Sequence, residues 1–285
     1  MMNLSEAIRQ VYKNVGNIEN EGQLASYIPE LANVDPESFG VFISTTDSCQ
    51  FGVGNCEDKF SIQSIVKVLS LALAYKIKGG ELWERVGVEP SGTAFNSLVQ
   101  LEADNGIPRN PFINAGAIVV ADVLLSNLAN PRDEFLAFVR NMSNNASIDY
   151  SPKIAKSEKA VGFRNVALCN FIKDLGNIKN NPCDVLDFYY DLCSIELTCK
   201  ELSELFLFLA NNGRKTADGE VILNTSQTKR INALMQTCGF YDESGQFTFK
   251  VGLPGKSGVG GGIIAIYPNK YSIAVWSPKL NSKGN

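Results

Sequence analysis

The sequence contains no histidine among its 285 residues. This absence excludes Ser-His-Asp and Cys-His catalysis, in which an imidazole is the base, and it removes the ligand of the commonest zinc sites. If the protein is a hydrolase, its base must be a lysine, a tyrosine or a carboxylate. We expect neither a metal ion nor another cofactor.

Cys-x-x-Cys pairs are also missing. The chain has seven cysteines, an odd number: Cys49, Cys56, Cys169, Cys183, Cys193, Cys199 and Cys238. This pattern is typical of reduced, partly buried thiols in a cytoplasmic protein. We therefore predict a cytoplasmic location.

Neither an excess of basic residues nor a long apolar run is present. The 26 Lys and Arg residues face 30 Asp and Glu residues, a net charge of −4, which argues against nucleic acid as a partner. No apolar stretch approaches the ~20 residues that span a bilayer. The N-terminal segment carries charges throughout, as an amphipathic helix does and a signal peptide does not. With 45% hydrophobic and 20% charged residues, we expect a soluble globular protein that binds no membrane.

Predicted strands lie near both ends of the chain, and predicted helices lie between them. Strands are predicted over residues 39–44, 49–53, 247–251, 258–267 and 271–276. Turns at 46–47 and 268–270 join the first pair and the last pair. Helices are predicted over residues 1–15, 61–80, 115–128, 131–142, 158–175, 183–193, 200–211 and 226–238.

This order of elements predicts an α+β fold of mixed α/β content. One antiparallel sheet is built from both chain ends, with flanking helices and an inserted helical region. We expect a single unit over 1–285, with a sheet subdomain of about 1–62 and 240–285 and a helical subdomain of about 63–239.

Ser64 and Lys67 form an S-x-x-K pair on the helix predicted over 61–80. At positions i and i+3 they share one face, so the lysine amine can reach the serine hydroxyl. Serine is a poor nucleophile until a base takes its proton, and lysine serves as that base only when burial lowers its pKa from about 10.4. The helix is apolar on all sides, which is typical of a buried helix. Its lysine therefore either serves catalysis or reaches out of the core to solvent.

A second S-x-x-K pair, Ser226 and Lys229, shows that the pattern alone is weak. The apolar side of its helix carries Ile231, Leu234 and Met235. At about 100° per residue, the pair points roughly to the opposite side. We therefore interpret this pair as a solvated helix start.

Lys256-Ser257-Gly258 opens a predicted strand and matches K-[ST]-G. An S-x-x-K helix followed by such a strand is shared by serine β-lactamases and penicillin-binding proteins. Ser64 would lie against this strand, and the backbone N–H groups of Ser64 and Val259 are candidates for an oxyanion hole. The glycines after Lys256 either let a substrate approach the strand closely or mark a tight bend of the sheet.

The sequence resembles the glutaminase family, bacterial and animal, more than the penicillin-recognising enzymes. The matching segments are YIPELANVDP (27–36), FSIQSIVKVLSLALA (60–74), PSGTAFNSLVQLE (90–102), GIPRNPFINAGAI (106–118), INALMQTCGFYD (231–242) and VGLPGKSGVGGGIIAIYP (251–268). Together they cover nearly the whole chain. The resemblance implies a fold like that of β-lactamases and penicillin-binding proteins. It also implies hydrolysis of L-glutamine to L-glutamate and ammonia.

The resemblance also implies roles for individual residues. Ser64 matches the nucleophile that forms an acyl-enzyme, and Lys67 matches its base, assisted by the Tyr241 hydroxyl. The substrate-contacting positions match Tyr27, Ser64, Asn114, Glu158, Asn165, Tyr189, Tyr241 and Val259. Glu158 can meet the substrate ammonium, and the amides and tyrosine hydroxyls can surround its carboxylate, to which no arginine is assigned. We also expect a homodimer or homotetramer.

Two features depart from the family pattern. Val66 stands where family members often carry a small residue, but it faces away from the Ser64 side. Family members usually continue beyond the equivalent of 280–285 with a helix that packs on the sheet. We expect either that the chain is short of this helix or that something else, such as a partner subunit, covers that face.

Two other functions stay open from the sequence. One is a penicillin-recognising or esterase-like serine hydrolase of the same fold, which the missing secretion signal and the ammonium-matching Glu158 disfavour. The other is a non-catalytic amino-acid-binding protein, which the intact Ser64, Lys67 and K-S-G motif disfavour.

Overall fold

The computed structural model describes residues 4–91 and 98–285. Part of the family-like segment 90–102 lies outside the described residues. The helices are α1 (Leu4–Val15), α2 (Val66–Lys78), α3 (Leu98–Ala103), α4 (Asn114–Asn127), α5 (Pro131–Ser143), α6 (Pro152–Val161), α7 (Phe163–Asp174), α8 (Pro182–Cys193), α9 (Cys199–Ala210), α10 (Thr225–Cys238) and α11 (Ser244–Val251). The strands are β1 (Gly40–Thr45), β2 (Gln50–Gly54), β3 (Phe60–Ser61), β4 (Glu196–Leu197), β5 (Gly255–Ser257), β6 (Gly262–Tyr267) and β7 (Tyr271–Trp276).

Five of the strands form one antiparallel sheet in the order β2-β1-β7-β6-β5. β1 pairs with β7 from Gly40 opposite Trp276 to Thr45 opposite Tyr271. This pairing joins the N-terminal hairpin to the C-terminal strands, and α2 to α11 lie between them in the chain. The predicted antiparallel sheet from both chain ends, with an inserted helical region, is confirmed.

Helices cover both faces of this sheet. α9 packs against β1, β6 and β7, and the buried Phe42 and Ile264 belong to the main core. On the opposite face Val41 and Ile43 pack with Ile8 of α1. The alternation of β1 side chains between the two faces follows from the period of two in a strand. The chain's own N-terminal helix therefore covers part of this second face.

α2 lies at the centre of the helical region. Every residue from Val66 to Tyr75 is buried, and the helix packs against α4 and α10. The all-round apolar pattern thus predicted burial correctly. The predicted start was wrong, because residues Gln63–Ile65 form a separate 3₁₀ turn before α2. None of the helices in the described ranges is long and apolar enough to cross a membrane.

The strand predicted over 247–251 is wrong, because these residues belong to α11. The alternating sequence Phe-Thr-Phe-Lys-Val suggests a strand, yet the ring of Phe247 stacks on Phe240 at 3.7 Å and Phe249 is 90% exposed. The helix ends at Gly252, whose φ of 72° is the left-handed conformation that glycine adopts readily.

Two other elements differ from their predicted bounds. The strand predicted over 258–267 begins only at Gly262, because residues 258–261 form the turn from β5 and Gly261 has a φ of 89°. The helix predicted over 158–175 is two helices, α6 and α7, that meet at Gly162. A Cβ at Gly162 would lie 2.0 Å from the hydroxyl oxygen of Tyr190, so the break allows a close contact with α8.

Candidate active site

Ser64 lies in the 3₁₀ turn that leads into α2. The chain before it is fixed by backbone pairing, since Phe60–Ser61 pair with β4 and the Ile62 amide donates to the carbonyl of Ile195 at 3.0 Å. Gln63 then adopts a left-handed φ of 47°. A non-glycine residue in this region costs about 1–3 kcal/mol, and such strain clusters at functional sites.

Lys67 lies one turn after Ser64 and is 1% exposed. Its Nζ donates to Asn114 Oδ1 at 2.6 Å and to the carbonyl oxygen of Phe112 at 3.2 Å. The alternative in which this lysine reaches out to solvent is therefore wrong. Burial lowers the pKa of Lys67 to about 8, against the opposing effects of Cys193 and Glu158. An amine with this pKa gives up its proton far more readily than an exposed lysine.

The second S-x-x-K pair has the location that the sequence predicts. Ser226 and Lys229 are exposed at the start of α10. The two pairs thus differ in burial, which separates a candidate catalytic lysine from a solvated one.

Tyr241 lies beside Ser64 and also has a left-handed φ, of 56°. Its hydroxyl shares a hydrogen bond with the Ser64 side chain; burial raises the pKa of Tyr241, and this bond opposes the rise. The centre of its ring lies 5.7 Å from Lys67 Nζ and 4.3 Å from Lys256 Nζ. The serine hydroxyl, the phenol and two buried amines therefore form one cluster.

Glu158 of α6 is 7% exposed, and its Oε2 is a buried oxygen without a hydrogen-bond partner among the described residues. Burial raises the pKa of Glu158 to about 7, while the charge of Lys67 and a hydrogen bond from Gln63 act in the opposite direction. A buried carboxylate oxygen without a partner is costly unless a ligand supplies one.

One cavity of about 180 Å³ brings the predicted residues together. All eight residues predicted to contact substrate line it, namely Tyr27, Ser64, Asn114, Glu158, Asn165, Tyr189, Tyr241 and Val259. Asn114 Nδ2 donates to Asn165 Oδ1 at 3.0 Å, which links α4 to α7 beneath the cavity. Tyr189 is buried, whereas Tyr27 is 58% exposed. Ser64 and Val259 line the same cavity, and their joint role as an oxyanion hole stays a prediction.

The glycines that follow Lys256 serve packing between protein segments. A Cβ at Gly258 would lie 2.4 Å from the Ile62 carbonyl oxygen, and a Cβ at Gly260 would lie 2.0 Å from that of Ser61. These contacts explain why both positions are glycine, and the approach of a substrate to this strand stays a prediction. The two glycines let the turn between β5 and β6 approach the segment that precedes Ser64.

Several residues that line the cavity were not predicted from the sequence. Gln63, Arg164 and Lys283 all line it. Gln63 is 2% exposed, and its side chain donates to Ser61 Oγ at 3.0 Å. Arg164 precedes Asn165 on α7 and brings a cation to a site for which the sequence assigned no arginine. No pattern in the sequence signals that Lys283 of the C-terminal segment reaches this cavity.

A family model and the similar proteins of known sequence all indicate the same family. The family model described as Glutaminase matches residues 22–285. A protein named Glutaminase from Saccharophagus degradans is 56% identical over 97% of this chain and 90% of its own length. Another protein of that name, from Christiangramia forsetii, is 55% identical over 93% of this chain and 87% of its own.

Solved structures with a similar fold indicate the same family as these relatives. The structure of a probable glutaminase, YbaS, has a TM-score of 0.93 and 34% identity, with 99% of this chain and 91% of that chain covered. The crystal structure of Mglu in its tris and glutamate form has a TM-score of 0.92 and 29% identity, and it covers 100% of this chain and 64% of the other. The expected β-lactamase-like fold is confirmed, and the chain belongs to the glutaminase family.

Proposed function

We propose that the protein hydrolyses the side-chain amide of L-glutamine to give L-glutamate and ammonia. Family membership and relatives named Glutaminase support this activity. The observation that carries the substrate assignment is the buried Oε2 of Glu158, for which the described residues supply no hydrogen-bond partner, in the cavity that Ser64 lines. An α-ammonium group supplies the cation that this oxygen requires.

The reaction runs through an acyl-enzyme. Ser64 Oγ attacks the amide carbon of glutamine, and its proton passes to the amine of Lys67 with the Tyr241 hydroxyl as a bridge. The carbon–nitrogen bond breaks, and the leaving nitrogen takes the proton held by Lys67 and departs as ammonia. Water then attacks the ester, releasing glutamate and restoring the Ser64 hydroxyl. The backbone N–H groups of Ser64 and Val259 stabilise the oxyanion in both steps.

The other residues of the cavity bind the amino-acid end of the substrate. Asn114, Asn165 and the hydroxyl of Tyr189 contact its carboxylate, and Tyr27 closes the mouth of the cavity. Arg164 brings a positive charge to the same cavity. The structure of Mglu in its tris and glutamate form supports an amino-acid ligand for this chain as well.

The assembly and location are part of the same proposal. The chain acts as a single catalytic unit over 1–285, because the cavity takes residues from both the sheet side and the helical region. We propose a homodimer or homotetramer, supported by the exposed aromatic side chains of Phe163 and Phe249, which are 80% and 90% exposed. The seven free thiols support a cytoplasmic location.

One assay separates this proposal from the alternatives. Ammonia release from glutamine is compared with hydrolysis of nitrocefin and with thermal stabilisation by glutamine. The proposal requires ammonia release. Turnover of nitrocefin alone indicates a penicillin-recognising enzyme, and stabilisation without turnover indicates an amino-acid-binding protein. Light scattering after gel filtration tests the assembly.

A further inference from the structure

Lys256 is a second buried lysine in the site, and the reaction above does not use it. It lies on β5, opposite Ile264 of β6, and is 0% exposed. Its Nζ donates to the carbonyl of Ser257 at 2.6 Å. Burying an amine is costly, so a lysine persists at such a position only when its nitrogen makes contacts that offset this cost. This nitrogen also lies 4.3 Å from the centre of the Tyr241 ring.

The backbone around Lys256 packs against the turn that carries Tyr241. The Ser257 amide donates to the carbonyl of Gly239 at 3.4 Å, and a Cβ at Gly239 would lie 1.8 Å from the carbonyl oxygen of Gly255. β5 therefore touches this turn through its backbone on both sides of Lys256. Because the left-handed φ of Tyr241 is unfavourable, neighbouring contacts have to hold the residue in place.

We propose that Lys256 is a positioning residue, whose buried amine on β5 holds the Tyr241 ring so that its hydroxyl stays bonded to Ser64. The inference rests on the proposed function, because it assigns Lys256 a part in glutamine hydrolysis. Lys256 acts through Tyr241, whose ring its amine contacts. Truncating its amine should therefore affect the chemical step more than substrate binding.

The Lys256 amine can hold the Tyr241 ring without adding a positive charge next to Lys67. Burial lowers the pKa of Lys256 well below its usual range, and the charge of Lys67 lowers it further, against the effect of Cys193. A neutral amine still has two N–H groups, which suffice for the Ser257 carbonyl and the tyrosine ring. A permanently charged arginine at this position would add a positive charge near Lys67. That charge would oppose the effect of Cys193 and Glu158, which raise the pKa of Lys67.

The test is Lys256→Met, which keeps an unbranched side chain as far as Cε and removes the amine. We expect kcat on glutamine to fall about a hundredfold while KM changes less than threefold, because the residues that bind substrate are intact. The midpoint of thermal unfolding should change little, since the lost hydrogen bond to the Ser257 carbonyl is offset by removing an amine whose burial is itself costly. Retention of more than a tenth of kcat would overturn the proposal.

Two comparisons make the test specific. Lys215 is also buried, at 8% exposed, but it bonds to Asn141 and Asp218 away from the cavity. Lys215→Met should therefore lower thermal stability without lowering kcat. In a Tyr241→Phe background, Lys256→Met should have almost no further effect on kcat, because the group that it positions is gone. An equal loss in both backgrounds would show that Lys256 acts independently of Tyr241.

A pH profile adds a readout that a purely structural role would not move. In Lys256→Arg the fixed charge lowers the pKa of Lys67, so the acidic limb of kcat/KM should move to lower pH, whereas Lys256→Met leaves the limb in place and lowers the plateau. If Lys256→Met does not fold, Lys256→Gln replaces it, with the same expected loss of kcat.

The wild-type protein separates the two hypotheses. An inactive wild-type protein would refute glutamine hydrolysis itself, whereas an active wild type with a fully active Lys256→Met refutes only this inference.

Discussion

Lys67 Nζ donates to Asn114 Oδ1 at 2.6 Å and to one backbone carbonyl. A neutral amine has two N–H groups and one lone pair, so these two acceptors use both donors and leave the lone pair free to take a proton. The amide of Asn114 is itself oriented by its bond to Asn165. This relationship explains how a fully buried lysine can be a base, since its two N–H groups are satisfied and burial disfavours the charged form.

The first prediction concerns the nucleophile. Ser64→Ala should abolish ammonia release and leave glutamine binding measurable as a rise in the midpoint of thermal unfolding. Binding survives because Glu158 and the amides of the cavity are unchanged. Retention of a tenth of wild-type activity would remove Ser64 from this role.

The second prediction concerns the pH dependence of kcat/KM. Lys67 must lose its proton to act as base, and Glu158 must lose its proton to meet the ammonium. With pKa values of about 8 and about 7 in the free protein, activity should rise with pH through both and level off above about 8. The slope below pH 7 should approach two protons.

Lys67→Arg tests whether Lys67 is the base whose loss of a proton makes activity rise with pH. The variant keeps the positive charge, but a guanidinium does not give up its proton, so activity should be nearly lost at every pH. A robustly active arginine variant would show that the charge of Lys67, and not its basicity, is what the reaction needs.

The third prediction follows from the contact between Lys67 and Asn114. Asn114→Asp would place a carboxylate beside the amine and favour its charged form. The pKa of Lys67 should then rise by about one unit or more, and the acidic limb should move to higher pH by the same amount. Asn165→Asp, whose side chain bonds to Asn114 and not to Lys67, should move the limb less. Equal shifts in the two variants would contradict the specific contact.

The fourth prediction concerns the glycine turn. Gly260→Ala would place a Cβ 2.0 Å from the Ser61 carbonyl oxygen, and overpacking of this kind costs about 1–3 kcal/mol of the free energy of unfolding. Gly245→Ala is the matched control, because a Cβ there meets no atom of the described residues within 4 Å and the residue lies in α11. The control should be neutral or more stable. Chemical denaturation of both variants measures the difference, and equal stabilities would refute the packing role of Gly260.

Much of the fold could be predicted because its signals are local. The strands β1, β2 and β7 follow apolar patterns bounded by turns, and α2 reads as buried because every side of it is apolar. The strand predicted over 247–251 failed because its alternation of side chains also fits a short helix stacked on Phe240. Strand β3 was missed because two residues are too few for a pattern.

The residues of the site also divide into those that the sequence predicts and those that it does not. Ser64, Lys67 and the K-S-G motif are visible as patterns, and helical periodicity predicted that Ser226 and Lys229 are solvated. The sequence left open whether the Lys67 amine is buried or reaches solvent, because that depends on tertiary packing. Glu158 was assigned by family resemblance alone, because nothing in its local sequence distinguishes it from an exposed charge. The left-handed φ values of Gln63 and Tyr241 could not be predicted, since neither residue type favours that region.

The last prediction concerns how the site recognises a free amino acid. If Glu158 binds the α-ammonium group, glutamine should be a far better substrate than N-acetylglutamine, which carries no cation. Removing one partner of a desolvated ion pair costs about 3–5 kcal/mol, a factor of a hundred or more in a rate or binding constant. Glu158→Gln should therefore lower kcat/KM on free glutamine by about that factor. It should also narrow the gap to N-acetylglutamine, because a neutral amide no longer requires an ammonium.

The pH profile of the same variant provides an internal check. Without the Glu158 carboxyl, the slope below pH 7 should fall from about two protons to one, which leaves only the titration of Lys67. The limb that remains should also lie at slightly lower pH, because the negative charge of Glu158 raises the pKa of Lys67. If Glu158→Gln instead loses activity equally on both substrates and keeps the steep limb, the carboxylate supports the fold or Ser64. The ammonium must then bind to another carboxylate.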